Sequence, residues 1–222
     1  MKFNRELKTT FSKISKSYDQ YRPSYPKEVI DYIIKETKIT KESKILEVGC
    51  GSGIATILFA EKGFEILSLD ISKELISIAK EKTKGLDVEY VIGYFEEIEL
   101  PPESFDVIIS AQAFHWIEPS IGYQRVYDLL KENGKFAFFW YFPDFNKSEL
   151  FLKIRELFVR YCPNFPEDYG ETKKLETAAE YGNRFDIKVK RFFEEREFNR
   201  ENYLNLLKTS SWVSSLDEKQ KE

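Results

Sequence analysis

Ile45-Leu46-Glu47-Val48-Gly49-Cys50-Gly51-Ser52-Gly53 decides the architecture of this chain. A short apolar strand runs into three glycines spaced by two, and a helical pattern over residues 54–62 opens at once. Glycine lets the backbone turn sharply and approach a ligand with no Cβ in the way. The opening of a helix adds N–H groups for polar ligand atoms. Asp70 ends the next strand pattern, 19 residues beyond Gly51, where a carboxylate can accept from two ribose hydroxyls.

The same alternation repeats outward. Strands are expected at 44–48, 65–69, 88–92, 105–110 and 135–141, each short, apolar and bounded by Gly, Asp, Pro or Asn. Val107-Ile108-Ile109 suits a strand covered on both faces. Helices are expected at 72–82, with Ser72 as N-cap, and at 123–131, ending at Asn133-Gly134. This βαβ rhythm predicts an α/β fold with a doubly wound, mostly parallel sheet.

A single domain over 1–222 is expected, with a cofactor-binding core at 40–142. Residues 1–26 read as an N-terminal cap segment and 143–184 as a helical lid insertion. Residues 185–222 read as a sixth strand, 186–198, and a C-terminal helix from Arg200.

Composition removes other classes. The chain has 34 basic and 38 acidic residues, net −4, which argues against a nucleic-acid binder. One His and two Cys are too few for a structural zinc site or a disulfide framework, and they suit a reducing cytoplasm. Phe136–Phe142, among the longest apolar runs, has seven residues against the ~20 that cross a bilayer, so no membrane role is expected. Three Trp, 13 Tyr and 19 Phe supply rings for a core or pocket.

Two cofactor classes use this strand–loop–helix geometry. The dinucleotide pattern G-x-G-x-x-G fails here because its last position is Ile54. The E-x-G-x-G-x-G actually present resembles the nucleoside loop of class I S-adenosylmethionine-dependent methyltransferases, which have a Rossmann-like fold. Tyr18-Asp19-x-x-Arg22-Pro23-x-Tyr25-Pro26, Phe95-Glu96-Glu97 and Ala111-Gln112-Ala113-Phe114-His115-Trp116 resemble the trans-aconitate methyltransferase-like branch. The likeness covers about residues 11–142 well and the rest loosely.

The resemblance implies S-adenosyl-L-methionine as cofactor, S-adenosyl-L-homocysteine as product and a small-molecule methyl acceptor, with a carboxylic acid as the first candidate. It implies that Glu47 orients the methionine amino end, that Gly49, Cys50, Gly51 and Gly53 form the loop, and that Asp70 and Ile71 hold ribose and one adenine face. Tyr94 stands where relatives often carry Asp, which leaves Phe95 and Glu96 as substitutes for the adenine contact, or Glu96 merely solvated. Ala111 and Gln112 would flank the methyl. His115 is an acceptor-orienting group, a base, or a packed ring. Tyr18 and Arg22 either seal the cofactor and pair with a carboxylate or form a structural turn. The family resemblance also implies an antiparallel hairpin of two last strands, and the second of them is not evident before Glu222. Two rival functions are a nicotinamide-dependent reductase and a catalytically silent binding module.

Overall fold

The computed structural model describes residues 14–144, 147–163, 165 and 171–217. Parts of the expected cap segment (1–13), of the expected lid insertion (145–146, 164 and 166–170) and of the expected C-terminal region (218–222) lie outside the described residues.

Two helices lead in, α1 (Ser15–Tyr21) and α2 (Lys27–Thr37). The core follows as β1 (Lys44–Val48), α3 (Thr56–Ala60), β2 (Glu65–Asp70), α4 (Lys73–Lys82), β3 (Val88–Ile92) and β4 (Phe105–Ala111). A 3₁₀ turn at Phe114–Trp116 then leads to α5 (Pro119–Leu129) and β5 (Leu130–Phe139). The remainder is helical: α6 (Glu149–Tyr161), α7 (Glu171–Tyr181), α8 (Arg200–Lys208) and α9 (Ser211–Ser214).

The five strands are all parallel, in the order β3-β2-β1-β4-β5. Order reverses beside β1, so the loops after β1 and β4 open a crevice at the carboxyl ends of the strands. Alternate side chains feed two core layers. Ile45, Ile66, Val107 and Ile109 meet Ile30 and Ile33 of α2 and Phe59 of α3 on one face. Leu46, Val48, Leu69 and Ile108 meet Tyr123 and Val126 of α5 on the other. Burial on both faces is why these strands read as continuous apolar runs.

Ser72 caps α4 as expected, accepting from Leu75 N–H at 3.2 Å. The fifth crossover differs from its sequence reading. Helix α5 starts at Pro119 and ends at Leu129, and Asn133-Gly134 lies inside β5 rather than beyond a helix. Pairing jumps from Phe105↔Leu130 to Val107↔Lys135, and Asn133 adopts φ 65°, so the Asn-Gly pair makes a bulge.

The sixth strand is also corrected. Residues 186–198 alternate in pattern, yet they form no strand and almost all are exposed. A strand exists only by pairing about 4.8 Å from a neighbour. Residues of β5 and of this segment instead both line a groove of about 1970 Å³.

Beyond the sheet, α6 packs onto α8 and α9 through Phe158, Cys162, Phe165, Leu207, Trp212 and Leu216, a satellite cluster of its own. Helix α8 in turn contacts α1. Among the described residues no helix is long and apolar enough to cross a membrane.

Candidate functional site

The glycine loop is shaped by sterics that can be read position by position. Gly49 has φ +75°, and a Cβ there would sit 2.3 Å from the Ala113 Cβ. Gly53 has φ +77° and lies against α4, where a Cβ would come within 3.2 Å of both Ala79 Cβ and Ala79 Cα. Gly51 is different. Its φ is +54°, but the nearest atom to a built Cβ is Tyr18 Cε1 at 3.9 Å, so the conformation and not crowding requires glycine.

Several loop amides are used within the protein. Gly49 N–H and Cys50 N–H both donate to Leu69 O, at 2.8 and 3.0 Å, and Gly53 N–H donates to Cys50 O. Helix α3 begins only at Thr56. The loop therefore offers a ligand its bare backbone surface more than a row of free donors, a correction to the expectation from sequence.

Asp70 closes the loop from the side. Its Oδ2 accepts from Gly51 N–H at 2.9 Å and its Oδ1 from Ser72 N–H at 2.8 Å. Burial raises its carboxyl, and the amides of Ser72, Gly51 and Ile71 oppose that rise. A carboxylate pinned by two amides keeps further lone pairs for hydroxyl donors.

Glu47 lies behind the loop, fully buried. Its Oε2 accepts from Thr56 Oγ1 at 2.5 Å and from Ser68 Oγ at 3.2 Å. Its Oε1 has no partner among the described residues. Burial pushes the carboxyl up to about 7, against the two hydroxyls and with the help of Asp70. An orphaned buried carboxyl oxygen beside a ligand loop fits a cationic amine of a bound cofactor. Cys50 is buried and its thiol is pushed well up by that burial, so only its backbone and bulk contribute.

These pieces frame a cleft of about 110 Å³. Gly49 and Gly51 form one wall, Asp70 and Ile71 the next. Phe95 and Glu96 follow β3, Ala111 and Gln112 end β4, and Tyr18 covers the loop. Gln112 carries φ 59° and donates Nε2–H to Tyr141 O at 3.0 Å. Glu47, Cys50 and Gly53 support the wall without lining it, and Arg22 and His115 stand outside the cleft. Tyr94 lines it as well, and so do Ala113 and Ile117, which were given no site role from sequence. The signal of the last two was positional, in the turn that follows β4, rather than chemical.

Arg22 sits at the wall of the wide groove. Its Nη1 donates to Tyr141 Oη at 3.0 Å and its Nη2 to Thr209 O at 2.9 Å, and its guanidinium lies 5.0 Å from the Tyr18 ring centroid. Burial raises the hydroxyls of Tyr18 and Tyr25 while Arg22 draws both down, so one cation serves this phenol cluster. Asp19 of α1 pairs with Lys82 of α4, which anchors the helix that carries Tyr18. His115 accepts at Nδ1 from Trp140 Nε1–H at 3.2 Å, and burial first, then the Lys174 ammonium, push it well below the usual imidazole range.

A family profile described as a methyltransferase domain matches residues 46–138. An uncharacterized methyltransferase of Schizosaccharomyces pombe is 29% identical over 96% of this chain and 83% of its own length. A protein of Saccharomyces cerevisiae named as a probable S-adenosylmethionine-dependent methyltransferase is 35% identical over 59% of this chain and 47% of its own. The chain thus spans most of the first relative and about half of the second. A crystal structure from Methanococcus maripaludis, described as an S-adenosyl-L-methionine-dependent methyltransferase, aligns at TM-score 0.57 and 23% identity over 85% of this chain and 87% of that one, a likeness of fold. The glycine loop, the acidic end of β2, the buried carboxyl behind them and the match over 46–138 lead to one statement: the chain carries a methyltransferase domain on a class I, Rossmann-like fold, with S-adenosylmethionine as its methyl donor.

Proposed function

We propose that this methyltransferase acts on a small molecule and methylates a carboxylate oxygen. One observation carries the reading: Arg22 places a fixed positive charge among the Tyr18, Tyr25 and Tyr141 rings, where Tyr18 lines the cofactor cleft and Arg22 and Tyr141 line the groove. A guanidinium beside phenol hydroxyls suits a carboxylate, which takes two parallel donors.

When bound, the cofactor would supply a methyl on cationic sulfur, and an ionised carboxylate oxygen would take it while the C–S pair stays with sulfur, with charges cancelling and no proton to move. The work left to the protein is holding and excluding water. Asp70, with the Ile71 apolar side chain, would hold the ribose and adenine, and Phe95 and Glu96 the base edge. Glu47 would meet the methionine ammonium through Oε1, directly or by water. Ala111 and Gln112 would stand beside the methyl. Tyr18 would close the cleft, and Arg22 would orient the acid. Positioning of this kind supplies much of the rate in an in-line transfer. Two buried free thiols, Cys50 and Cys162, suit a reducing cytoplasm for the reaction. Residues 143–184, with α6 and α7, would serve as a lid over the acceptor.

The experiment is an acceptor panel of aconitate, a phenol and a primary amine, read by S-adenosylhomocysteine release. Turnover on the acid is the expected result, and activity confined to neutral phenols would sink the reading.

A further inference from the structure

His115 sits between a tryptophan that lines the cofactor cleft and a tryptophan that lines the wide groove, and itself lines neither. Its ring leans on Trp116 at 5.0 Å, and Trp116 lines the cleft. On its other side Trp140 lines the groove and donates Nε1–H to His115 Nδ1. A ring nitrogen that accepts a hydrogen bond carries no proton, so the imidazole is neutral with its hydrogen on Nε2.

Trp140 is fixed from two directions. Phe138 meets it edge-on at 4.9 Å, and Lys174 Nζ of α7 stands 4.9 Å from its ring centroid and 5.8 Å from that of Phe142. Helix α7 is itself pinned, through buried Ala178 and through Tyr181 stacked on Tyr123 at 6.5 Å. Among the described residues, Lys174 is the charged group that acts on the His115 ring, and like the burial around it, it opposes imidazolium.

We propose that Trp140 and Lys174 set acceptor specificity: Trp140 locks His115 as an Nε2–H donor toward the acceptor oxygen, and Lys174 adds the positive charge that selects an anion. The proposal rests on the carboxylate reading above and adds to it a positioning residue and a specificity residue. A ring held this way has its one basic lone pair, on Nδ1, engaged by Trp140 and none free to take a proton from the acceptor. Acceptors that must lose one during transfer, phenols and protonated amines, gain nothing from His115, whereas a carboxylate needs only a donor and a counter-charge.

The chain has one histidine, so ¹⁵N-histidine labelling of the whole protein gives one imidazole to observe. The expected result is the Nε2–H tautomer with no titration near neutral pH, and tautomer mixing with a measurable titration in Trp140→Phe. An Nδ1–H ring or an imidazolium at neutral pH in the parent protein overturns the proposal. In kinetics, Trp140→Phe should lower kcat on aconitate about tenfold with cofactor KM unchanged. Lys174→Met should raise the aconitate KM about tenfold, with rescue by Lys174→Arg. Retained S-adenosylhomocysteine binding shows that each variant is folded. A protein that methylates only phenols or amines ends both the functional reading and this proposal. One that methylates carboxylates with parent-like Trp140→Phe and Lys174→Met kinetics ends this proposal alone.

Discussion

The cofactor cleft and the wide groove have no lining residue in common, and they are built in opposite ways. The cleft comes from backbone: two glycines in left-handed conformations, an aspartate pinned by two amides, and strand ends in register. The groove comes from long side chains that meet across the chain, Arg22 with Tyr141 and Thr209, Trp140 with His115, Lys174 over Trp140. Backbone geometry tolerates little change, whereas side-chain clusters can be re-cut for a new acceptor. The cleft should therefore fail abruptly on substitution and the groove by degrees.

Gly49→Ala is the largest test of that contrast. Its Cβ would overlap the Ala113 Cβ at 2.3 Å on top of a φ of +75°, and a Cβ fixed to the backbone is no flexible side-chain end that could give way. A loss of about 3 kcal/mol in unfolding free energy is expected, with S-adenosylhomocysteine binding abolished in calorimetry. Gly51→Ala meets nothing closer than 3.9 Å, so only the conformational cost of about 1 kcal/mol should appear. Equal losses in the two variants would mean that strain alone, and not the approach of Ala113, governs the loop.

Glu47→Gln comes next and is visible as a pH dependence. The folded carboxyl sits at about 7, against 4.5 for an ordinary glutamate, so the folded state binds the proton more tightly. Stability from this group is complete below the ordinary value and is lost as pH rises to about 7, with a total of about 3 kcal/mol. The glutamine variant lacks that loss. Its unfolding free energy should climb relative to the parent protein between about pH 5 and 7, in denaturant titrations at each pH. A constant difference between the two proteins would place the Glu47 proton elsewhere.

What could be read from the chain beforehand follows the same division. Strands β1 and β3 match their expected bounds, and Glu47, Gly49, Asp70 and Gln112 come together because each is fixed by its place at a strand end. The errors arise where pairing partners decide. Residues 186–198 have a strand's alternation, but alternation cannot supply a neighbour. Asn133-Gly134 looks like a helix stop until its register with β4 shows a bulge. Arg22 could be singled out as a carboxylate ligand, yet nothing local announces that Thr209, 187 positions away, accepts from its Nη2. Lys174 had no signal at all. It is one of many lysines until α7 folds over Trp140.

Arg22→Met probes the groove directly. The guanidinium joins the exit of β5 to the end of α8, so removing it should cost about 1–2 kcal/mol of stability, and the aconitate KM should rise about tenfold with cofactor affinity little changed. Arg22→Lys keeps charge but loses the fork, and should recover part of the KM but little of the stability. If cofactor affinity falls as far as acceptor affinity, Arg22 belongs to the cleft and the division drawn between the two regions fails.

Gln112→Gly should have the smallest effect, because Gln112 belongs to both regions and its two contributions oppose each other. It holds φ 59°, a conformation costing a non-glycine residue about 1 kcal/mol, and its amide returns a similar amount by donating to Tyr141 O. Glycine relieves the first and loses the second, so thermal stability should move by less than about 0.5 kcal/mol. Gln112→Ala loses the bond and keeps the strain, and should fall by about 1 kcal/mol. Activity separates the regions where stability does not. With Tyr141 released from Gln112 but still accepting from Arg22, acceptor KM should change before cofactor affinity does. The reverse order would make Gln112 part of the rigid cleft, its side chain shaping the methionine end and not the path to the acceptor.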